Sequence, residues 1–287
     1  AGFDSVKIDG CGTQYDLNLW NNLLQTEGHK ITIEACHWGK TIPTKEWCPF
    51  HYYRTFWDVR ANYAAILTNM RENLPFLHQG LSRPGCWAYP DMLEVGVQYG
   101  PGGNRWDSGL SIPETRSHFA AWAIMSSPLI LSHDLLNDKV MDKIWGLIAN
   151  PDAIMVNQAW HVSSGGRFYA SESTAMFVTQ PTPEQGNVTE VIETFPAHQY
   201  LYKPINATTT AVVLLNSNSE KQQLSLPFST IPANPCRETH NCHVYDIWNR
   251  KYRGSFHERV SFEVKAHDAV FALVFAKEEK PTCSTCE

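Results

Sequence analysis

Val6-Lys7-Ile8-Asp9-Gly10-Cys11 is the stretch on which the reading of this chain turns. As a strand it places Lys7 and Asp9 on one face and Val6 and Ile8 on the other, because successive side chains alternate. A parallel strand covered on both faces should instead be a nearly continuous apolar run. Two charges on one face break that rule, and they do so at the strand's C-terminal end. Parallel barrels and sheets carry their catalytic groups there. The plainer reading is a Lys–Asp pair at a solvated strand end before an Asp-Gly turn.

Outward from that stretch, short apolar runs alternate with helical periodicity. Residues 3–9 read as a strand, followed by a helix with Leu17, Trp20, Leu23 and Leu24 on one face. Residues 31–36 are a second strand, followed by a helix carrying Val59, Tyr63, Ile66, Leu67 and Met70. Residues 76–81 form a third strand. A Gly-rich excursion then leads to a helix over 114–125, the run 128–131, a helix with Val140, Met141, Ile144, Leu147 and Ile148, and a last strand at 153–156. Five strands alternating with helices imply βαβ units and a parallel sheet. Past residue 160 the texture is all β, with strands at 175–179, 200–203, 210–215, 243–248, 260–264 and 269–275. That pattern reads as an antiparallel sandwich or small barrel, ending in a polar tail.

The 287 residues are 43% hydrophobic and 18% charged, too apolar for a disordered chain. A formal net charge of −6 offers no basic excess for nucleic acid. No apolar run is long enough for a membrane span. These are the marks of a soluble globular protein. The eight cysteines point away from the cytosol. Cys283-Ser-Thr-Cys286 lacks the second ligand pair a zinc site needs, whereas Cys236 and Cys242 bracket a short loop suited to a disulfide. The triplets beginning at Asn187 and Asn206 are N-glycosylation signals and fit a secreted or lysosome-like compartment.

Two further segments carry chemistry. In His51-Tyr-Tyr-Arg54-Thr-Phe-Trp-Asp58, a helix would bring Arg54 and Asp58 together at i, i+4. An ordinary surface ion pair is the plain alternative, but the aromatic surroundings suit a sugar-binding cleft better. In residues 84–96, prolines and glycines fix a sharp turn around Asp91, which reads as a helix cap or a buried network member.

Taken together, these motifs resemble glycoside hydrolase family 27, the α-galactosidase and α-N-acetylgalactosaminidase family. The resemblance rests on Lys7-Ile-Asp9-Gly-Cys11, Ala35-Cys36-His37-Trp38-Gly39, Arg54 with Asp58, and Trp87-Ala-Tyr-Pro-Asp-Met-Leu-Glu-Val-Gly96. It continues in order through His118-Phe-Ala-Ala-Trp-Ala-Ile-Met, Ser127-Pro-Leu-Ile, Val156-Asn-Gln158, Asp246-Ile-Trp248 and Val264-Lys-Ala-His267. It implies the C-terminal part, about five βα units, of a (β/α)8 TIM barrel over residues 1–160. An antiparallel β-sandwich over 161–276 and a polar tail at 277–287 follow. The implied reaction is retaining hydrolysis of terminal α-linked galactose-type sugars, with no metal or organic cofactor. Asp9 falls on the family nucleophile and Asp58 on its acid/base, while Lys7, Arg54, His37, Trp38 and Asp91 fall at sugar-contacting positions. Lys7 would favour an ionised Asp9. Arg54 would work against a protonated Asp58 unless it pointed at the sugar. Retention expects carboxyl groups about 5–5.5 Å apart.

Three departures from the family pattern stand out. His37 replaces a Glu that faces the sugar 2-substituent, and Ala88-Tyr89 replace an Asn-Asp pair. The family's first three βα units have no counterpart. That implies an N-terminal half of the barrel as a separate or cleaved chain, or a sequence that is part of a longer product. By the same resemblance Cys36 pairs with Cys48 and Cys236 with Cys242. Cys11 then pairs with the missing segment, or alternatively with Cys86. Family members often associate, which leaves a homo-oligomer or a larger assembly open. The competing function is a catalytically inactive, structural or carbohydrate-binding subunit.

Overall fold

The computed structural model describes residues 2–10, 15–26, 31–97, 107–182, 185–186, 188–237 and 241–276. Cys11, Asn187, Cys283, Cys286 and the 277–287 tail lie outside these residues.

Four strands, β1 (Ser5–Asp9), β2 (Thr32–Cys36), β3 (Tyr52–Arg54) and β4 (Trp87–Tyr89), form a parallel sheet in chain order. A parallel bridge from Leu93 to Leu131 carries the pairing one position further. The helices are α1 (Leu17–Thr26), α2 (Tyr63–His78), α3 (Ile112–Ile124), α4 (Asp138–Ile148) and α5 (Pro151–Gln158). The parallel βα class expected from the sequence holds, but its strands are not all the expected ones. Residues 76–78 belong to α2, which runs through Pro75. Residues 153–156 lie inside α5, where Pro151 occupies the first turn and the Asn150 side chain accepts from the N–H groups of Asp152 and Ala153. A four-residue apolar run fits a buried strand or a buried helix equally well, and here the cap decides. β3 and β4 escape a hydrophobicity reading because each is three residues long and rich in aromatic side chains.

α3 holds the molecule together. Ser111 and Glu114 close a reciprocal capping box at its start, and every residue from Ser117 to Ile124 is buried. Ala120, Ala121 and Ala123 keep the helix thin enough for close packing on all sides. At Gly165 a Cβ would stand 2.2 Å from the Ile124 carbonyl oxygen, and the backbone there has φ +99°, so only glycine fits.

The antiparallel part contains β5 (Gly166–Ala170), β6 (Thr174–Thr179), β7 (Val191–Pro196), β8 (His198–Asn206), β9 (Thr209–Asn216), β10 (Gln222–Pro227), β11 (Asn241–Asp246), β12 (Lys251–His257), β13 (Arg259–Val264) and β14 (Ala269–Phe275). Six of these form one sheet in the order β12-β11-β14-β9-β8-β5, while β10 pairs with β13 and β6 with β7. The central strands β9 and β14 of the large sheet are buried on both faces. Ala211, Val213, Leu215, Phe271 and Leu273 join the core of the parallel part, whereas Val212, Leu214, Ala272 and Val274 face a second core containing Leu224, Leu226, Val260 and Phe262. Two-sided burial explains why β9 and β14 read as continuous apolar runs rather than alternating ones. Lys203 of β8, itself fully buried, donates from Nζ to the carbonyls of Val156 (2.6 Å) and Asn157 (2.8 Å) and so closes the C-terminal end of α5. Burial pulls its pKa down to about 7.

Disulfides join Cys236 to Cys242 and Cys48 to Cys86. The second corrects the Cys36–Cys48 pairing and excludes Cys11–Cys86. Cys48 and Cys86 lie just ahead of the neighbouring strands β3 and β4, with Cα atoms 6.3 Å apart. Cys36 ends β2 at the opposite rim of the sheet, where it is a buried free thiol.

Candidate active site

The C-terminal ends of β1 to β4 bring the sequence-selected residues to one rim. Asp9 ends β1 and accepts the Gly10 N–H at 2.7 Å. Beyond β2, His37 is buried, with Nδ1 2.6 Å from Thr41 Oγ1 and its ring 5.8 Å from that of Tyr15. Burial lowers its pKa and Asp9 partly opposes that, so the imidazole is held toward its neutral form. Trp38 follows with φ 50°. Its ring lies against Gly10, where an added Cβ would come within 2.5 Å of it, and stacks on Trp57 at 5.5 Å. A continuous aromatic shelf therefore runs from beside Asp9 to the residue preceding Asp58.

Arg54 ends β3 and is buried. Its Nη2 lies 2.9 Å from both Asp58 Oδ1 and Asp91 Oδ2, and also donates to the Phe56 carbonyl at 3.2 Å. The contact with Asp58 spans i, i+4, but on a strand end and loop rather than on the helix considered from the sequence: Arg54 closes a strand and Asp58 lies in the loop after it. The two acids differ sharply, the side chain of Asp58 being 63% exposed and that of Asp91 only 8%. Asp91 has φ 85°, a left-handed geometry that strains a non-glycine residue. Three bonds hold it there: the Arg54 pair, the Val59 N–H donating to its carboxylate, and Trp122 Nε1 donating to its carbonyl. Asn69 of α2 donates to the carbonyls of Trp57 and Pro90. The loop is thus fixed at Phe56, Trp57 and Val59, and Asp58 projects from between clamped neighbours.

Lys7 has a neighbour that the sequence reading did not anticipate. It is opposite Glu34 in the parallel register, and its Nζ lies 3.6 Å from Glu34 Oε1. Burial is the largest influence on the Lys7 pKa and acts to lower it, but Glu34 together with Cys36 and Asp91 makes the net shift upward. Burial raises Glu34, with Lys7 pulling the other way. The Cys36 thiol is pushed up to about 11 by burial, which keeps it protonated and inert. Sequence reasoning passed over Glu34, Trp57 and Asn69. The rule that singled out Lys7, a charge within a strand of a buried sheet, applies equally to Glu34. Asn69 carries no such signal, because its partners are backbone carbonyls far along the chain.

A cleft of about 410 Å³ opens beside the shelf. Trp38, Trp57 and Asp58 line it together with Thr179 to Thr182 of the β6–β7 connection.

Comparison with known proteins places these features in context. Residues 2–159 match the family described as Alpha galactosidase A, and residues 196–274 match the Alpha galactosidase C-terminal beta sandwich domain. An alpha-galactosidase of Oryza sativa subsp. japonica is 30% identical over 164 residues, covering 55% of this chain and 36% of the relative. Alpha-galactosidase 3 of Arabidopsis thaliana is 24% identical over 282 residues, covering 93% of this chain and 54% of the relative. The chain therefore spans from about a third to about half the length of these relatives. Among solved structures, alpha-galactosidase I from Mortierella vinacea superposes with a TM-score of 0.74 at 21% identity, covering 95% of this chain and 68% of that one. A GH27 β-L-arabinopyranosidase from Geobacillus stearothermophilus gives 0.70 at 15% identity, covering 97% and 59%.

Two measurements probe the rim. Arg54→Met leaves Asp91 as an unpaired buried charge and is expected to lower unfolding stability by about 3–5 kcal/mol in a denaturant titration. Glu94 is the second target. Burial, reinforced by Asp91, raises it from 4.5 to about 7, although Ser132 donates to it at 3.3 Å. Its folded-state pKa is above the unfolded one, so its contribution is full below about pH 4.5 and disappears as pH rises through 7. Thermal unfolding midpoints should fall across that window, and Glu94→Gln should flatten the fall.

Proposed function

This chain belongs to the α-galactosidase family, glycoside hydrolase family 27, and from that premise we propose that it contributes the catalytic carboxylates of a retaining glycosidase acting on terminal α-linked galactose-type sugars. The observation that carries the proposal is the placement of Asp9 and Asp58 at one rim of the parallel sheet, joined by the Trp38–Trp57 shelf. Asp9 acts as nucleophile: one of its oxygens bonds to the anomeric carbon while Asp58 gives its proton to the bridging oxygen. The C–O bond breaks and the alcohol departs. Water then returns a proton to Asp58 as its oxygen displaces Asp9 from the anomeric carbon, which restores the original configuration.

Lys7, His37 and Trp38 are the groups that meet the sugar. Arg54 and Asp91 serve it from beneath, since both side chains are buried and bonded to each other. The catalytic unit is residues 1–160, and residues 161–276 support it. No cofactor takes part. With both carboxylates at the rim, nothing in the site favours the inactive alternative.

β1 and β4 are the outer strands of the parallel sheet. Phe3, Tyr15, Leu19 and Leu23, from β1 and α1 and the segments beside them, are exposed. An open parallel edge beside exposed apolar side chains is the arrangement that further βα units close. We place those units either in a separate or cleaved chain or in a longer product of which this sequence is a part, with assembly around the completed barrel. No helix among the described residues is long and apolar enough to cross a membrane. Two disulfides support a secreted or lysosome-like location, and Asn206, at an exposed hairpin turn, is a glycosylation position there.

Asp9→Asn is expected to abolish release of galactose from an aryl α-galactoside while the circular dichroism spectrum and unfolding midpoint stay near those of the parent. In the parent, NMR should show the α-anomer as the first product; a β-anomer first would overturn the retaining assignment. Native mass spectrometry with and without reductant should reveal a companion chain bound to this one. Its absence from an active preparation would rule out a separate front half.

A further inference from the structure

We propose that Glu34 is a positioning residue: it draws the Lys7 ammonium across the sheet and away from Asp9, leaving the nucleophile's carboxylate unpaired for attack. The proposal deepens the catalytic reading above and rests on the role given there to Asp9. Glu34 lies outside every motif that carries the family resemblance, the nearest of which begins at Ala35.

Two acids compete for Lys7. Asp9 stands two residues on along the same strand and on the same face, roughly 6.6 Å away by the strand rise. Glu34 is directly opposite Lys7 on β2, and neighbouring strands are only about 4.8 Å apart. The flexible four-carbon lysine stem reaches either acid. In the structure Nζ lies 3.6 Å from Glu34 Oε1, whereas Asp9 accepts the Gly10 N–H and has no ion pair among the described residues. Glu34 has no better-placed cation. Arg54 also acts on it, but that guanidinium is bonded to Asp58 and Asp91. Tyr52, opposite Glu34 on β3, is kept protonated by burial. The Lys7 side chain is 41% exposed, so an ammonium leaning on Glu34 still has N–H groups to offer a sugar.

Stability does not account for this acid. A carboxylate taken out of water needs close, well-bonded partners, and a 3.6 Å contact with a part-exposed lysine does not supply them. Glu34 Oε1 is buried with no hydrogen-bond partner among the described residues. Burial accordingly raises the Glu34 pKa against the pull of Lys7. A neutral side chain of the same shape would therefore cost the fold little. What it would remove is the anchor for Lys7. The ammonium would then turn to Asp9, and a carboxylate paired with a cation is a weaker nucleophile.

The test uses the native protein with its lysines isotope-labelled by reductive dimethylation and followed by NMR, the Lys7 signal being assigned by its loss in Lys7→Arg. Asp9→Asn alone should leave the Lys7 titration midpoint in place, and Glu34→Gln should lower it. In the Glu34→Gln background, Asp9→Asn should then lower it again. The unfolding midpoint of Glu34→Gln should match or exceed that of the parent, while kcat/KM for α-galactosyl fluoride falls by about tenfold. Glu34→Asp, which keeps the charge, should retain most of the parent rate. A Lys7 midpoint that follows Asp9 rather than Glu34 in the parent would overturn the proposal and leave the hydrolase reading intact, as would an unchanged kcat/KM in Glu34→Gln. A lowered unfolding midpoint in Glu34→Gln, with the Lys7 titration unmoved, would give Glu34 a structural role and overturn the proposal as well. Titrations as expected in a parent that turns over no galactoside would uphold the separation of Lys7 from Asp9 and sink the hydrolase reading.

Discussion

The buried ion pair between Arg54 and Asp91 is the constraint on which the rim depends. Removing both charges from water costs several kcal/mol per ion, and only close geometry with further hydrogen bonds offsets that. Here the 2.9 Å contact is supplemented by the Val59 N–H on the carboxylate and the Phe56 carbonyl on the guanidinium. The same bonds that satisfy the charges also fix the loop carrying Asp58. Electrostatic satisfaction and placement of Asp58 are one arrangement. The left-handed backbone at Asp91 fits this account, because strain persists where surrounding contacts over-determine a conformation.

From that node the order extends into the rest of the molecule. Trp122 ties the Asp91 carbonyl to α3, and α3 packs against both the parallel sheet's helices and the inner face of the large antiparallel sheet. Further links cross the same boundary: Ser117 to the His267 carbonyl, Glu114 to His267, Asn150 to the Ile247 carbonyl, and Lys203 to the end of α5. The antiparallel part is therefore a structural support of the rim. Through β6 and β7 it also reaches the cleft next to Asp58.

Charge is distributed unevenly around the rim. Lys7 lies beside Glu34, Cys36 is kept protonated by burial, and His37 is held toward neutrality. Arg54 is shared between an exposed acid and a buried one at equal distance, so Asp58 does not hold that cation alone.

The sequence by itself determined the class of the fold, the division between parallel and antiparallel parts, and the acids worth testing. Those features are local: period-two and helical patterns, a charge inside an apolar strand, an aromatic-rich segment with two ionisable residues. It did not determine β3 and β4, which are three residues long and exist because neighbouring strands pair with them. Nor did it decide that residues 153–156 are helical, since an apolar run that short satisfies either structure until Asn150 caps it. The partners of Cys48, Lys7 and Asp91 were likewise settled only by the tertiary structure. Each pairing joins residues from different strands or loops, and which strand ends meet is a property of the assembled sheet. Cys36 could not reach Cys48 because β2 delivers it to the far rim, a fact of topology that no spacing along the chain contains.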